Sequence, residues 1–457
     1  MAKPTIKYVC NSCGAQYSSW AGRCAQCGEW NTIAEEVQLT ALAGGMGLNK
    51  KAGVGAVLTP QLVGKMAGQD DKRLPTGISD VDAVLGGGIV AGSVNLIAGQ
   101  PGIGKSTLLM QLASQVAQKH AVLYVSGEES EHQVGMRAQR LGVAGVERLQ
   151  LTTSNIAEDI AATVADGHYD FVVVDSIQTM TVQAVAAAPG SVSQITNSTA
   201  VLVAAAKASN TAMFVVGHVT KEGSIAGPKV LEHIVDVVLQ LEGDAYGGFK
   251  VLRATKNRFG PTSEAAILEM DERGLHPVEN PSQALLAERQ ISDGSVVLAT
   301  LEGTRPLLVE VQALVNKTSY GYPKRAASGI DLNRVNLLIA MLERRTKLNL
   351  AEQDIYINIV GGIRLNDPAA DLAICMAIGS AAKGLQLKQN AVVFGEVGLS
   401  GEVRHVPFID KRVAEAKKLG FEVVIGPKER GNVKAGELNL LHAVPDVRTA
   451  LNDFLEK

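Results

Sequence analysis

Residues 99–106 read GQPGIGKS, a full G-x-x-x-x-G-K-S. An apolar run of strand length, SVNLIAG, leads into it, and a segment with helical spacing, KSTLLMQLASQVAQK, follows. That is the setting in which such a loop holds a nucleotide. Its glycines let backbone N–H groups turn inward around a phosphate. Lys105 can reach the β- and γ-phosphates, and the Ser106 hydroxyl can ligate Mg2+. The start of the helix adds a favourable potential for the anion. Gly99, Gln100, Pro101, Gly102, Ile103, Gly104, Lys105, Ser106 and Thr107 are the expected ATP-binding residues. The competing reading is a glycine-rich turn with a chance lysine, which the completeness of the motif disfavours.

Further polar groups stand at the ends of short apolar runs. Asp175 closes FVVVD and is expected to hold the Mg2+ shell with Ser106. SGEES follows AVLYV, with Glu128 the first choice and Glu129 the second for a carboxylate that orients and activates an attacking water. An acidic first helical turn would also place Glu there for the dipole alone. GHVTKEG follows AMFVV, so His218, or Thr220, could touch the γ-phosphate and relay its state; an ordinary loop histidine is the alternative. Four of the five cysteines, Cys10, Cys13, Cys24 and Cys27, form Cys-x2-Cys-x10-Cys-x2-Cys. Four thiolates at this spacing can close a tetrahedron around structural Zn2+, with no open position for catalysis. Iron in a rubredoxin-like site is the chemical alternative. Cys375, the fifth, reads as a buried core thiol.

These groups need a scaffold that brings strand ends to one edge. A length of 457 residues suggests about three domains. Hydrophobic content of 46% with only 4% aromatic describes Val/Ala/Leu/Gly-rich cores. Apolar runs without two-residue alternation fit strands buried on both faces of a mostly parallel α/β sheet. Helices between them make right-handed βαβ units. Residues 1–33 are expected to form the cysteine unit and 34–70 a glycine-bearing linker. Residues 71–278 are expected to form the nucleotide-binding domain and 279–457 a mixed α+β domain. The net charge of −3 gives no bulk preference for nucleic acid. The N-terminus lacks the apolar stretch of a signal peptide. Two uncharged windows, 83–104 and 176–206, are too rich in glycine or in polar residues to span a membrane. A cytoplasmic protein without a membrane partner is expected.

Jointly the motifs resemble one family. TGISDVDAVLGGGIVAGSVNLIAGQPGIGKS is similar to the opening of RecA/KaiC-type ATPases. The four-cysteine unit precedes it, KNRFG stands at 256–260, and FGEVGLSGEVRHVP lies near the C-terminus. With these the chain resembles bacterial RadA (Sms) DNA repair and recombination ATPases over nearly its whole length, residues 34–70 excepted. The resemblance implies a RecA-like P-loop core between a zinc finger and a Lon-protease-like α+β domain. It implies an ATP hydrolase with Mg2+ and Zn2+, assembled as a homo-oligomeric, hexameric ring. It further implies action on single-stranded and branched DNA, with the RecA recombinase, in branch migration and repair.

In RecA-like rings ATP lies between neighbours, so the resemblance makes Lys256 and Arg258 trans-acting fingers for the γ-phosphate. Asn257 and Gly260 would shape the turn, and Phe259 would pin it to its own core. A solvated turn closing a hairpin is the plain alternative. The family's Arg-Glu pair after PGSVSQ is missing: here Thr196 and Asn197 stand nearby, and residues 176–206 carry no charge. A DNA-facing role for that stretch would rest on backbone and Gln/Ser/Thr/Asn contacts.

Between residues 317 and 347 the cations Lys317, Lys324, Arg325, Arg334, Arg344, Arg345 and Lys347 outnumber Asp331 and Glu343. They could track phosphates, and the interleaved Tyr320 and Tyr322 could stack on bases; a solvated basic face is the alternative. A Lon-like domain raises the rival of an ATP-dependent serine protease. NDPAADLA puts Ala369 where the nucleophile would be, and the catalytic lysine aligns best with Arg412, next to Lys411. A methyl group cannot attack a carbonyl, and a guanidinium that stays protonated is a poor base. A scaffold is therefore expected. A KaiC-like signalling ATPase without DNA is the third reading.

Overall fold

The computed structural model describes residues 6–10, 16–17, 19–26, 28, 30, 33–37, 73–218, 230–243, 249–319, 321–388, 390–428 and 439–456. The chain divides into two compact units. One takes in Met1–Gly77, Gly87–Ala98 and Ser106–Val238, the other Ile78–Gly86, Gly99–Lys105 and Leu239–Lys457.

The first unit opens with a small antiparallel sheet. Strand β1 (Ile6–Cys10) pairs with β2 (Gln16–Tyr17) and with β3 (Ile33–Val37). β3 runs past the boundary expected at residue 33, because all five of its residues find partners on β1. The rest of the expected linker, 38–70, lies outside the described residues. A two-strand pair, β4 (Arg73–Leu74) with β5 (Ile89–Val90), follows.

The larger sheet of this unit contains β6 (Val94–Gly99), β7 (Val122–Ser126), β8 (Leu149–Thr153), β9 (Phe171–Asp175) and β10 (Ala212–His218), in the order β6-β10-β9-β7-β8. The β10/β9, β9/β7 and β7/β8 pairs are parallel. Every residue of β7 and β9 is buried, as expected for strands covered on both faces. Helices α1 (Lys105–Val116), α2 (Glu131–Arg140), α3 (Ala157–Gly167) and α4 (Val192–Ser209) alternate with the strands. Leu96, Val125, Val174, Ile195, Leu202 and Val215 are part of one core. Ser126 pairs with Asp175, and Val174 with Val215, so the carboxyl ends of β7, β9 and β10 reach the same edge. Ligands of open parallel sheets sit at that edge.

The uncharged stretch 176–206 is part exposed loop, around 183–190, and part helix with one buried face. From residue 192 it is α4, in which Gln194, Ser198 and Thr199 are buried. Gln194 accepts from Val182 N at 2.8 Å and donates to the carbonyls of Val185 and Ala187 at 2.9 and 3.1 Å, knitting the preceding loop to the helix.

The second unit holds β11 (Val237–Gly243), β12 (Phe249–Asn257), β13 (Ala265–Asp271) and β14 (Gly274–Pro277), in the order β14-β13-β12-β11, with β12/β13 and β13/β14 antiparallel. Helix α5 (Pro281–Leu286) leads to β15 (Ser295–Glu302), β16 (Arg305–Lys317) and β17 (Arg325–Ser328). After α6 (Leu332–Thr346) come β18 (Gln353–Ile359) and α7 (Ala370–Lys383). Beyond α7 stand β19 (Gln386–Leu387), β20 (Ala391–Val393), β21 (Glu396–Val397) and β22 (Val403–Arg404). Helix α8 (Ile409–Lys418), β23 (Val423–Gly426), β24 (Leu441–Ala443), α9 (Val447–Asp453) and β25 (Leu455–Glu456) complete it. The seven-stranded sheet β17-β18-β16-β15-β20-β23-β24 mixes antiparallel β15/β16 and β16/β18 with parallel pairs on either side, the α+β pattern expected. Helix α7 is buried from Ala370 to Ser380. Its small residues permit this, since a Cβ at Gly379 would collide with Leu451 of α9. No helix among the described residues is long and apolar enough to cross a membrane.

Candidate active site

The phosphate loop is shaped by what surrounds it in the second unit. A Cβ at Gly99 would stand 2.6 Å from the Leu241 carbonyl, and one at Gly104, whose φ is +112°, would collide with Met270. A side chain at Gly99 would push the loop off β11, and at Gly104 the positive φ itself disfavours one. Lys105 is only 4% exposed, and its Nζ donates to the carbonyls of Gly99 and Gln100 at 2.9 and 3.0 Å. The ammonium is thus held inside the curve of its own loop. Ser106 and Thr107 follow in the first turn of α1.

The carboxyl edge of the first unit gathers a second group. Asp175 is 7% exposed, and its Oδ2 accepts the Tyr124 hydroxyl at 2.7 Å. Burial, reinforced by the Asp175 charge, lifts the Tyr124 phenol far above its ordinary pKa and keeps it a proton donor to that carboxylate. Glu128 Oε1 accepts a short hydrogen bond from Ser176 Oγ and lies 3.4 Å from His218 Nε2. Glu129 is differently placed: it pairs with Arg137 at 2.7 Å, and its carbonyl accepts from Ser126 Oγ at 2.8 Å. Of the two candidate bases, Glu129 is the one engaged by an arginine. A cleft of about 640 Å3 borders them, lined by Glu128, Glu129, Ser130, His132, Thr153 and Asn155. Ser176 escaped the sequence reading. Its only signal is its place, one residue beyond the strand that ends at Asp175. Thr220 lies outside the described residues.

KNRFG ends β12 in the second unit. Asn257 Oδ1 accepts from Phe259 N at 2.9 Å, and its Nδ2 donates to the Val84 carbonyl at 3.3 Å. A Cβ at Gly260 would come within 2.8 Å of Gly86 Cα. Asn257 and Gly260 thus shape the turn as expected. Arg258 is exposed and Lys256 half-buried.

The basic residues divide. Lys317 and Arg325 flank β18 on either side, paired with Gln353 and Ile355, so the sheet brings them together; exposed Lys324 adjoins. Tyr322 is exposed nearby, whereas Tyr320 lies outside the described residues. Arg344 and Arg345 are exposed at the end of α6, where Arg448 of α9 donates to the Arg345 carbonyl. Arg448 is a cation that sequence proximity could not reveal. Arg334 leaves the set. Its guanidinium forms a two-point pair with Asp371, itself 2% exposed, and donates to the Val397 carbonyl at 3.2 Å. These bonds raise its pKa, the Asp371 hydrogen bond foremost.

Ala369 and Arg412 are both fully buried. They meet through Asp367, which accepts from Ala369 N at 3.0 Å and pairs with Arg412 Nη1 at 2.8 Å. Arg412 also donates to the Ala299 carbonyl at 2.6 Å and lies over the Phe394 ring. The position is a closed ion pair with no nucleophile. Cys375 is buried, and burial pushes its thiol well up, as for a core residue.

Of the cysteine ligands, Cys10 ends β1 and Cys24 is buried; Cys13 and Cys27 lie outside the described residues. Tyr17 Oη stands 3.0 Å from Cys24 Sγ, and this bond raises the phenol's pKa. A protonated hydroxyl facing the sulfur suits a metal-bound thiolate.

Comparison with known proteins bears on all three regions. An AAA domain matches residues 63–224, a rubredoxin metal binding domain 8–35, and subunit ChlI of Mg-chelatase 326–430. DNA repair protein RadA of Pseudomonas aeruginosa is 46% identical over 100% of both chains. The Bacillus subtilis RadA is 47% identical over 93% of each chain, and that of Escherichia coli 43% over 99% of each. The chain belongs to the RadA family. Within this RadA-family chain the AAA match spans Lys105, Glu128, Asp175 and His218, giving it a P-loop ATPase domain of that class. The ribbon match spans all four cysteines, and the ChlI match spans Ala369 and Arg412. KNRFG lies outside the matched ranges.

Proposed function

We propose that this chain is an ATP-driven motor on single-stranded DNA that extends strand exchange at branched recombination intermediates. In this reading it works in the cytoplasm with the RecA recombinase, as a hexameric ring of its own copies. The complete phosphate loop, in a chain related to DNA repair protein RadA along its full length, carries the reading.

The ATP phosphates take the place that the backbone N–H groups of residues 99–107 enclose, with Lys105 neutralising the β- and γ-phosphates. Ser106 and Asp175 hold Mg2+, which when bound supplies Lewis-acid stabilisation of the phosphate oxygens. Tyr124 keeps the Asp175 carboxylate oriented through the 2.7 Å bond. Glu128 aligns the attacking water and takes its proton. Support for this choice is that Glu129 is already paired with Arg137. Ser176 and His218 hold Glu128 from two sides. Lys256 and Arg258 of a neighbouring copy stabilise the developing charge. Lys317, Lys324, Arg325, Arg344, Arg345 and Arg448 contact the DNA backbone. Cys10, Cys13, Cys24 and Cys27 hold a structural Zn2+. The C-terminal α+β unit, from about residue 279, acts as a scaffold; the buried Asp367–Arg412 pair weighs against a protease.

ATP hydrolysis with and without single-stranded DNA tests the reading. Wild type should be stimulated by DNA and Lys105→Ala should be inactive. Wild-type turnover in purified Lys105→Ala protein, or failure of the wild type to bind single-stranded DNA, overturns it.

A further inference from the structure

The chain contains two tryptophans, and both lie in the four-cysteine unit. Tryptophan is normally among the most buried side chains on average. Here Trp20 is 61% and Trp30 70% exposed. Among the described residues the unit's small core is Cys24 and Ile33 with Tyr8, Tyr17 and Ala21, and neither ring belongs to it. The rings border one gap: a Cβ at Gly22 would stand 3.7 Å from Trp20 Cη2 and 3.9 Å from Trp30 Cζ3. Arg23 pairs with Trp30 in an isolated antiparallel bridge, its guanidinium 5.7 Å from the ring centre. Its Nε donates to the Gly28 carbonyl at 2.8 Å, which fixes the cation beside the ring.

We infer that Trp20, Trp30 and Arg23 form a base-stacking platform for unpaired nucleotides. The chemistry around them favours nucleic acid over a protein partner. Between Gln16 and Asn31 there is no Leu, Ile, Val, Met or Phe, so the segment that carries the rings supplies no aliphatic side chain beside them. Exposed aromatic faces with an adjacent cation are what a sequence-tolerant single-strand site needs: rings take the bases, and the cation takes the phosphate. Duplex DNA hides its base faces and would not engage the rings. The inference deepens the DNA-motor reading and rests on it.

Because these are the chain's only tryptophans, emission of the full-length protein excited where its eight tyrosines do not absorb reports on the platform alone. Single-stranded oligo(dT) should quench that emission, and the matching duplex should not. Trp20→Ala and Trp30→Ala should each weaken oligo(dT) binding about 5- to 150-fold, with the Phe variants retaining most of it. Arg23→Ala should lower the salt slope of binding by about one. Metal content and DNA-free ATP hydrolysis should stay at wild-type values in all of these. Labelled oligo(dT) that binds by anisotropy while emission is unchanged, with both Ala variants binding as wild type, overturns the platform and leaves the motor reading standing. Absence of any oligo(dT) binding overturns the motor reading and the platform with it. Emission that follows protein concentration instead of DNA assigns the rings to contact between copies and also overturns the platform.

Discussion

Asp367→Ala removes the carboxylate that closes the centre of the C-terminal unit. Its Oδ2 faces Arg412 Nη1 at 2.8 Å and also accepts from Thr300 Oγ1 and Leu301 N at 3.1 and 3.2 Å. Its Oδ1 accepts from Ala369 N at 3.0 Å. Arg412 has no exposed surface, so without Asp367 its charge keeps only the Ala299 and Pro407 carbonyls and the Phe394 face. Breaking one side of a buried pair costs about 3–5 kcal/mol. Each amide left without an acceptor adds up to about 1–3 kcal/mol, part of which relaxation recovers. We expect a total loss of about 4–6 kcal/mol. Arg412→Met should cost less, because Asp367 would keep two amides and a hydroxyl as donors. Combining the two changes removes both charges, so the double variant should be more stable than the sum of the singles by about 2–3 kcal/mol. Urea unfolding of the full chain gives the totals. Amide exchange at Leu301 and Ala369 localises the effect, since two units need not unfold together. Single losses below about 1 kcal/mol that add within about 0.5 kcal/mol would refute the closed-knot reasoning.

Glu128→Gln should lower the ATP turnover number about 10²- to 10⁴-fold with nucleotide affinity nearly unchanged; a larger loss in Glu129→Gln would reverse the assignment. Ser176→Ala should lower turnover by about tenfold, read from single-turnover kinetics, because it removes one of the two groups that hold Glu128. Arg258→Ala should still bind ATP but hydrolyse it about 10³-fold more slowly, and mixing it with Lys105→Ala should restore part of the activity; mixed rings that form yet stay inactive at every ratio would rule out a finger acting between subunits. Cys24→Ser should lose about one zinc per chain by elemental analysis while the ATPase domain keeps its melting transition; native protein containing no zinc would sink the assignment.

Much of the fold was readable because burial on both faces leaves a plain mark. The runs that became β7, β9 and β10 are unbroken apolar stretches. β8 escaped notice because LQLTT at the end of its sheet has no buried residue, and its alternating polar side chains resemble a loop. β3 carries no strand signal in the sequence because IAEEV is acidic, and only its partner β1 makes it a strand. The uncharged stretch 176–206 was legible as uncharged, but not as a loop followed by a helix with one buried face. Gln194 looks like a surface residue until its amide is seen binding four backbone groups.

The sequence by itself determined the phosphate loop, the cysteine spacing and the lack of a serine–lysine pair at Ala369 and Arg412. Each depends on which residue types stand within a short span, and backbone geometry over such a span is nearly fixed by local chemistry. Tertiary structure alone gives Glu128 and Glu129 different partners, since Ser176, which engages the first, lies 48 positions away. It pairs Arg334 with Asp371 from 37 positions away, and it sets Arg448 against Arg345 across 103. A side chain's role there follows from the partner that satisfies its charge, and that partner is fixed by packing between strands and helices far apart in the chain.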